Sequence, residues 1–221
     1  MNYSTTQLDF LTNKKSVVFI CFCLLSIALF FLAQQLLVSD DLYYDLLGEQ
    51  LTYEKITEVI NINKQWSWIA YPLMPVYYLL KFVAVALTVY MGVILMNYSI
   101  SFGKIFSVVM FSEFVFLLPT VLKILWFQFF QVDYTLSDLQ TFSPLSIMSL
   151  FDGTEVDQWL VYPLQLLNIF EVLYCLILAY GLRTFCNERY SNMILLVLAT
   201  YGTGLVIWII FSLFLNVTFL T

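Results

Sequence analysis

A chain of 221 residues in which 62% are hydrophobic, 19% aromatic and only 11% charged departs from soluble domains, which hold roughly 45 to 50% apolar and about 25% charged residues, and reads as a membrane protein. Nine Lys plus Arg against fifteen Asp plus Glu give a net charge of -6, too few cations to build a phosphate-binding stripe, so no nucleic-acid partner is expected. The absence of histidine removes Ser-His and Cys-His nucleophile pairs and His-ligated zinc, and with them the expectation of an enzyme, a metal or a cofactor.

Five stretches reach the length of about 20 apolar residues that a bilayer core of about 30 Å demands, at 16 to 38, 70 to 97, 105 to 131, 159 to 182 and 192 to 219. The expected fold is therefore all-α, a polytopic bundle of five transmembrane helices. The first follows Lys14-Lys15 and exceeds the 7 to 15 residues, roughly, of a secretory signal core, so it reads as a retained anchor behind a short cytoplasmic segment 1–15. Between the first two spans, residues 39–69 are acidic and patterned. Ser39 is placed to cap a short helix that Gly48 ends, and a second helix from Leu51 puts Tyr53, Ile56, Val59 and Ile60 on one face, to lie on the membrane interface or to pack on helix ends or a partner. The other acidic loop, 132–158, contains Ser143-Pro144 as N-cap and first helical residue, then Leu145, Ile147, Met148, Leu150 and Phe151, closed by Asp152-Gly153; it reads as a short re-entrant or interfacial helix.

Basic residues favour the cytoplasmic side of short loops. With the N-terminus inside, Lys14, Lys15, Lys104, Arg183 and Arg189 fall in the cytoplasm, whereas the two outer loops hold only Lys55 and Lys64 beside eleven acids. The expected topology is N-in, C-out. Cys21, Cys23, Cys175 and Cys186 form no CxxC and read as small buried hydrophobes. HExxH, GxSxG and a phosphate-binding glycine loop are likewise missing from the sequence.

Four charged residues lie within the spans: Lys81, Glu113, Lys123 and Glu171. Each costs about 2.5 to 3.5 kcal/mol at a helix centre on insertion scales and so demands a partner. Residue counting puts Lys81, Glu113 and Glu171 near one depth, at about 1.5 Å per residue, while Lys123 is shallower and able to snorkel. Lys81 is expected to pair with Glu113 or Glu171, with Asn168 and Ser112 adding hydrogen bonds. Two positive and two negative charges balance, which favours pairing over a cation cage. The pairing reads either as a structural ion pair, as a midplane ion or proton relay, or as a contact with a partner subunit.

Trp68-Ile69-Ala70-Tyr71-Pro72-Leu73 can be laid on Trp159-Leu160-Val161-Tyr162-Pro163-Leu164 with four of six positions identical. Each copy opens a helix followed by a basic turn and a return helix. Two readings stand: a parallel repeat of helices 2-3 and 4-5 about an axis along the membrane normal, or the shared chemistry of helix starts at an interface.

Ser101-Phe102-Gly103-Lys104 with Ser107, Phe111-Ser112 and Pro119, then Ser143-Pro144-Leu145-Ser146, Leu167-Asn168-Ile169-Phe170-Glu171 and Leu178-Ala179-Tyr180-Gly181-Leu182, resemble bacterial members of the Yip1 family of integral membrane proteins over about residues 70 to 215. The resemblance implies a five-helix N-in, C-out bundle in the bacterial inner membrane. Eukaryotic members of that family act as scaffolds that bind Rab-type GTPases through a long hydrophilic N-terminal region; with only residues 1–15 there, a Rab-type partner is not expected. The expected function is that of a non-catalytic scaffold or accessory subunit, whose partners are the lipid bilayer and another membrane protein or further copies of the chain. The alternative is a small ion- or proton-coupled transporter working through the midplane Lys and Glu residues.

Overall fold

The computed structural model describes residues 14–151, 156–186 and 188–220. Among these residues the protein is all-helical, with no strands and a single isolated antiparallel bridge between Ser146 and Asn168. Four helical runs are long and apolar enough to cross a membrane: Lys15–Leu37, Tyr53–Leu95, Phe102–Phe129 and Tyr190–Thr218.

Helix α1 (Lys15–Leu37) has no charged side chain beyond its first residue. Helices α2 (Asp40–Leu47) and α3 (Tyr53–Trp66) follow; α3 starts two residues later than Leu51, and Ser39 precedes α2 without a side-chain cap. Its face is used within the chain: Ile56 and Ile60 are buried, while Tyr53 stacks on Tyr44 with ring centroids 4.9 Å apart. A 3-10 turn at Ser67–Ile69 leads into α4 (Ala70–Leu95). Asn97, at φ 57, then ends that run: its own amide bonds Ile94 O and the Tyr98 amide bonds Val93 O. This left-handed residue lets the chain double back, a role that suits Asn or Gly.

The return run is α5 (Phe102–Ser112), a 3-10 segment Glu113–Phe116, and α6 (Leu117–Phe129). Pro119 has no N–H to offer the Val115 carbonyl one turn back, and the helix tightens just before it. After α7 (Leu136–Thr141), held by a capping box between Thr135 and Asp138, the structure departs from expectation. The helix anticipated from Ser143-Pro144 does not form. Leu145 instead takes a left-handed φ of 56, the chain extends through Ser146, and only Ile147–Leu150 coil, as a 3-10 turn. The Asp152-Gly153 closure lies outside the described residues.

The span expected as one helix over 159–182 is broken. It consists of α8 (Gln158–Leu166) and α9 (Ile169–Arg183), with Leu167 and Asn168 between them out of helical conformation. The chain ends with α10 (Tyr190–Val197), a π-helical turn Leu198–Gly202, and α11 (Thr203–Leu220).

Helices α4, α5, α9 and α10 enclose the main core, in which Phe82, Ala86, Ile105, Val109, Leu178 and Leu196 are buried. The two hairpins also pack crosswise, α4 on the Leu198–Gly202 turn and α9 on α5 and the Glu113–Phe116 segment. Glycine permits both close approaches: a Cβ on Gly92 would collide with Thr200, and one on Gly181 with Val108. Helix α1 covers one flank through Phe22, whose ring meets Tyr78, Phe82 and Phe114 edge-on. A smaller cluster of Leu37, Leu42, Phe127 and Leu139 joins α1, α2, α6 and α7.

Candidate functional site

The break between α8 and α9 is held by hydrogen bonds on both of its sides. Asn168 closes both helix ends: its amide nitrogen donates to Gln165 O at 3.0 Å and Leu166 O at 3.2 Å, and its Oδ1 accepts from the Glu171 amide at 3.0 Å. The segment around Leu145 completes the pairing, since the Ile147 amide donates to Leu167 O at 2.9 Å and the Ile169 amide donates to Leu145 O at 3.1 Å. Backbone groups released by a break in an apolar setting are costly unless paired, which explains why the extended strand and the break occur together.

Past the break, the first turn of α9 carries Glu171 into a polar centre. Lys81 Nζ on α4 donates to Glu113 Oε2 at 2.9 Å and sits 4.4 Å from the centroid of the Phe116 ring, where the ring face adds a cation–π attraction. Glu171 Oε2 accepts from the Tyr201 hydroxyl at 2.7 Å. Tyr174, fully buried, fills the space between, its ring 5.0 Å from that of Phe116 and 4.8 Å from that of Tyr201. Two buried polar atoms here, Glu113 Oε1 and the Tyr174 hydroxyl, make no close hydrogen bond, and the Tyr174 hydroxyl acts on the Glu113 carboxylate. Such atoms are rare in folded interiors because each forfeits its hydration.

The five sequence candidates therefore divide. Lys81, Glu113 and Glu171 share the centre, and Asn168 positions Glu171 by capping its helix rather than by bonding a charge. Ser112 turns back on its own helix, its hydroxyl donating to Val108 O at 2.9 Å. Lys123 lies elsewhere, donating to the Leu139 carbonyl at the end of α7. Lys123 thus stands apart, and the centre itself holds one ammonium and two carboxyl groups.

Tyr174 and Tyr201 were not singled out by sequence reasoning. Tyrosines in apolar helices read as packing aromatics, and the signal that distinguishes these two is only that a buried phenol oxygen needs a partner. Among the described residues no three His, Cys, Asp or Glu side chains gather to hold a metal ion, and Cys21, Cys23, Cys175 and Cys186 are free thiols. A cavity beside the smaller cluster, lined by Phe127, Gln131, Asp138, Phe142 and Met148 among others, contains one carboxylate among the described residues, already committed to capping α7 through bonds to Thr135.

These features define an all-helical protein with the apolar helices of a membrane protein and a small polar centre beside a helix break. Compared with known proteins, the chain matches no family model, no curated protein and no solved structure.

Proposed function

We propose that the chain is a non-catalytic, multi-pass protein of the bacterial inner membrane, akin to the Yip1 family, that acts by lateral association as a scaffold or accessory subunit of a membrane complex or of its own oligomer. It crosses the bilayer five times, N-in and C-out, with α8 and α9 together making the fourth crossing. Their 9 and 15 residues suffice for about 30 Å at about 1.5 Å per residue once the extended link is added. The crosswise packing of the α4–α5 and α9–α10 hairpins supports the parallel-repeat reading, since a pseudo-two-fold axis of that repeat would exchange those two contacts.

The observation that carries the association reading is the setting of Lys81. Its side chain is 31% exposed on a helix flank where Tyr77 and Leu80 are 62% and 66% exposed. A lysine side chain left part-exposed among large exposed apolar residues marks a flank that another membrane helix would cover to advantage. Native mass spectrometry of the full chain in mild detergent or nanodiscs tests this. A stoichiometric partner or homo-oligomer, weakened by Leu80→Trp on that flank, is expected; a folded monomer with no bound protein contradicts it.

A second reading, ion- or proton-coupled transport, is favoured by one feature: a helix interrupted within the membrane beside paired ionisable groups, the arrangement on which many transporter sites are built. Flux into proteoliposomes that disappears in Glu171→Gln while the fold is retained would establish it, and absence of any flux in the unaltered protein would remove it.

A further inference from the structure

The bundle end at which α1 begins is rich in cations and short of acid. Lys15 opens α1, Lys104 lies in the first turn of α5, Arg183 is the last residue of α9 and Arg189 directly precedes α10. Lys15, Lys104 and the end of α9 come together: a Cβ placed on Gly103 would stand 2.7 Å from Lys15 Nζ, and Lys104 Nζ is 5.0 Å from the centroid of the Phe185 ring, two residues past Arg183. Among the described residues the ion pairs lie elsewhere, Lys64 with Asp40 and Lys81 with Glu113, so these four cations are paired with no carboxylate. The turn 96–101 holds no acid, and Glu188, the one carboxylate of the turn 184–189, accepts from the Asn192 side-chain amide at 3.0 Å.

We propose that Lys104 and Arg183, with Lys15 beside them, form a docking site for the phosphate group of an anionic phospholipid. The inference rests on the reading of these helices as membrane-spanning and adds to it the chemistry of the lipid. A cluster of Lys and Arg without acids, at one end of a helical bundle, attracts anionic headgroups. Lys104 and Arg183 are exposed; a guanidinium presents a planar fork that fits phosphate oxygens, and an ammonium resting on a ring face still has N–H groups to donate. A lipid rather than a free anion is selected by what continues from the charges. Tyr180, Leu176 and Leu173 lie three, seven and ten residues before Arg183, on its own face of α9, and all three are exposed. Charge and apolar stripe thus follow one another in the order of headgroup and acyl chain. Residues 39–69, at the far end of α1, offer no such match, with six acids against Lys55 and Lys64.

Native mass spectrometry of the full chain, released from nanodiscs of phosphatidylglycerol and phosphatidylcholine in equal parts, reads which lipid stays bound. Phosphatidylglycerol is expected to be retained in preference, and Lys104→Gln and Arg183→Gln should each weaken that retention roughly fivefold, the value of one cation near a membrane surface. Lys104→Arg should preserve it, and Lys55→Gln combined with Lys64→Gln should leave it unchanged. Equal retention of the two lipids by the unaltered protein overturns the proposal without recourse to any variant, as does a preference that survives Lys104→Gln and Arg183→Gln together. In phosphatidylcholine nanodiscs, inorganic phosphate that raises the melting temperature as much as phosphatidylglycerol does would assign the site to a free anion and overturn the lipid; an acidic protein bound there in place of lipid would overturn it too. A chain that does not enter nanodiscs removes the membrane reading and this inference with it, whereas an embedded chain with no preference removes this inference alone.

Discussion

Helix α4 and the α8–α9 pair open on nearly the same residues, Trp68 to Leu73 and Trp159 to Leu164, and yet one runs unbroken from Ala70 to Leu95 while the other stops at Leu166 and restarts at Ile169. In the alignment that pairs their tryptophans, Asn168 falls opposite Tyr77. The difference is local. Asn168 offers its side chain to both helix ends, and the extended segment 145–147 takes up the amide and carbonyl that the break sets free. Tyr77 has no such capacity, and α4 tolerates even Pro75 within it. A helix start motif therefore says where a span begins and nothing about whether it continues. The functional consequence is a division of labour, in which the continuous helix supplies the ammonium and the broken one supplies a carboxyl in its first turn, next to the amide end of a helix.

The largest effect is expected at the buried ion pair. Lys81→Met alone leaves the Glu113 carboxylate without its counter-charge, and a loss of about 3 to 5 kcal/mol is expected in unfolding measured by denaturant in mild detergent, the range seen when one partner of a buried pair is removed. A loss under 1 kcal/mol would mean that Glu113 is not ionised beside Lys81. Next come the glycines that let the hairpins cross. Gly181→Ala or Gly92→Ala forces a methyl group into Val108 or Thr200, and overpacking of this kind costs about 1 to 3 kcal/mol. Unchanged melting temperatures in both variants would count against the crosswise packing.

Asn168→Ala tests the break itself. Loss of an N-cap bond costs about 0.5 to 2 kcal/mol, and faster amide exchange is expected at Glu171 and at Ile169, whose environment depends on it; unaltered exchange there would indicate that the 145–147 segment holds the break unaided. The smallest effect is expected away from both helices. Lys64 bonds Asp40 at 2.7 Å, with both side chains more than half exposed, so Lys64→Ala should change stability by no more than about 0.5 kcal/mol, with less change still in high salt.

Much of this architecture was legible in the sequence because lipid imposes a coarse and strong requirement: runs of apolar residues of membrane length give α1, α4, the α5–α6 run and the α10–α11 run directly. The same requirement made Lys81, Glu113 and Glu171 conspicuous, since few charges sit in such runs. Hydrophobicity does not report helix continuity, however: Asn168 stands out in the sequence as a polar group for the nearby charges, not as the residue that ends one helix and starts the next. Ser143-Pro144 misled for a related reason. The pair is a good helix opening in isolation, but the backbone at Ile147 bonds more favourably to Leu167 O, a partner twenty residues away in sequence. Lys123 was separable from the other charges only by depth, and depth alone could not name the Leu139 carbonyl as its acceptor. Tyr174 and Tyr201 were hidden among fifteen tyrosines; among the described residues these two are the buried ones.

Glu113 belongs with Lys81 and not with Lys123, although Lys123 is the nearer of the two in sequence. A pair of double-mutant cycles in one detergent measures it most directly, with Lys81→Met and Lys123→Met each combined with Glu113→Gln. Contacting residues couple by about 0.5 to 3 kcal/mol, whereas distant ones add to within about 0.5 kcal/mol. Strong coupling is expected for Lys81 with Glu113 and additivity for Lys123 with Glu113. Additivity in the first cycle, or strong coupling in the second, would contradict it.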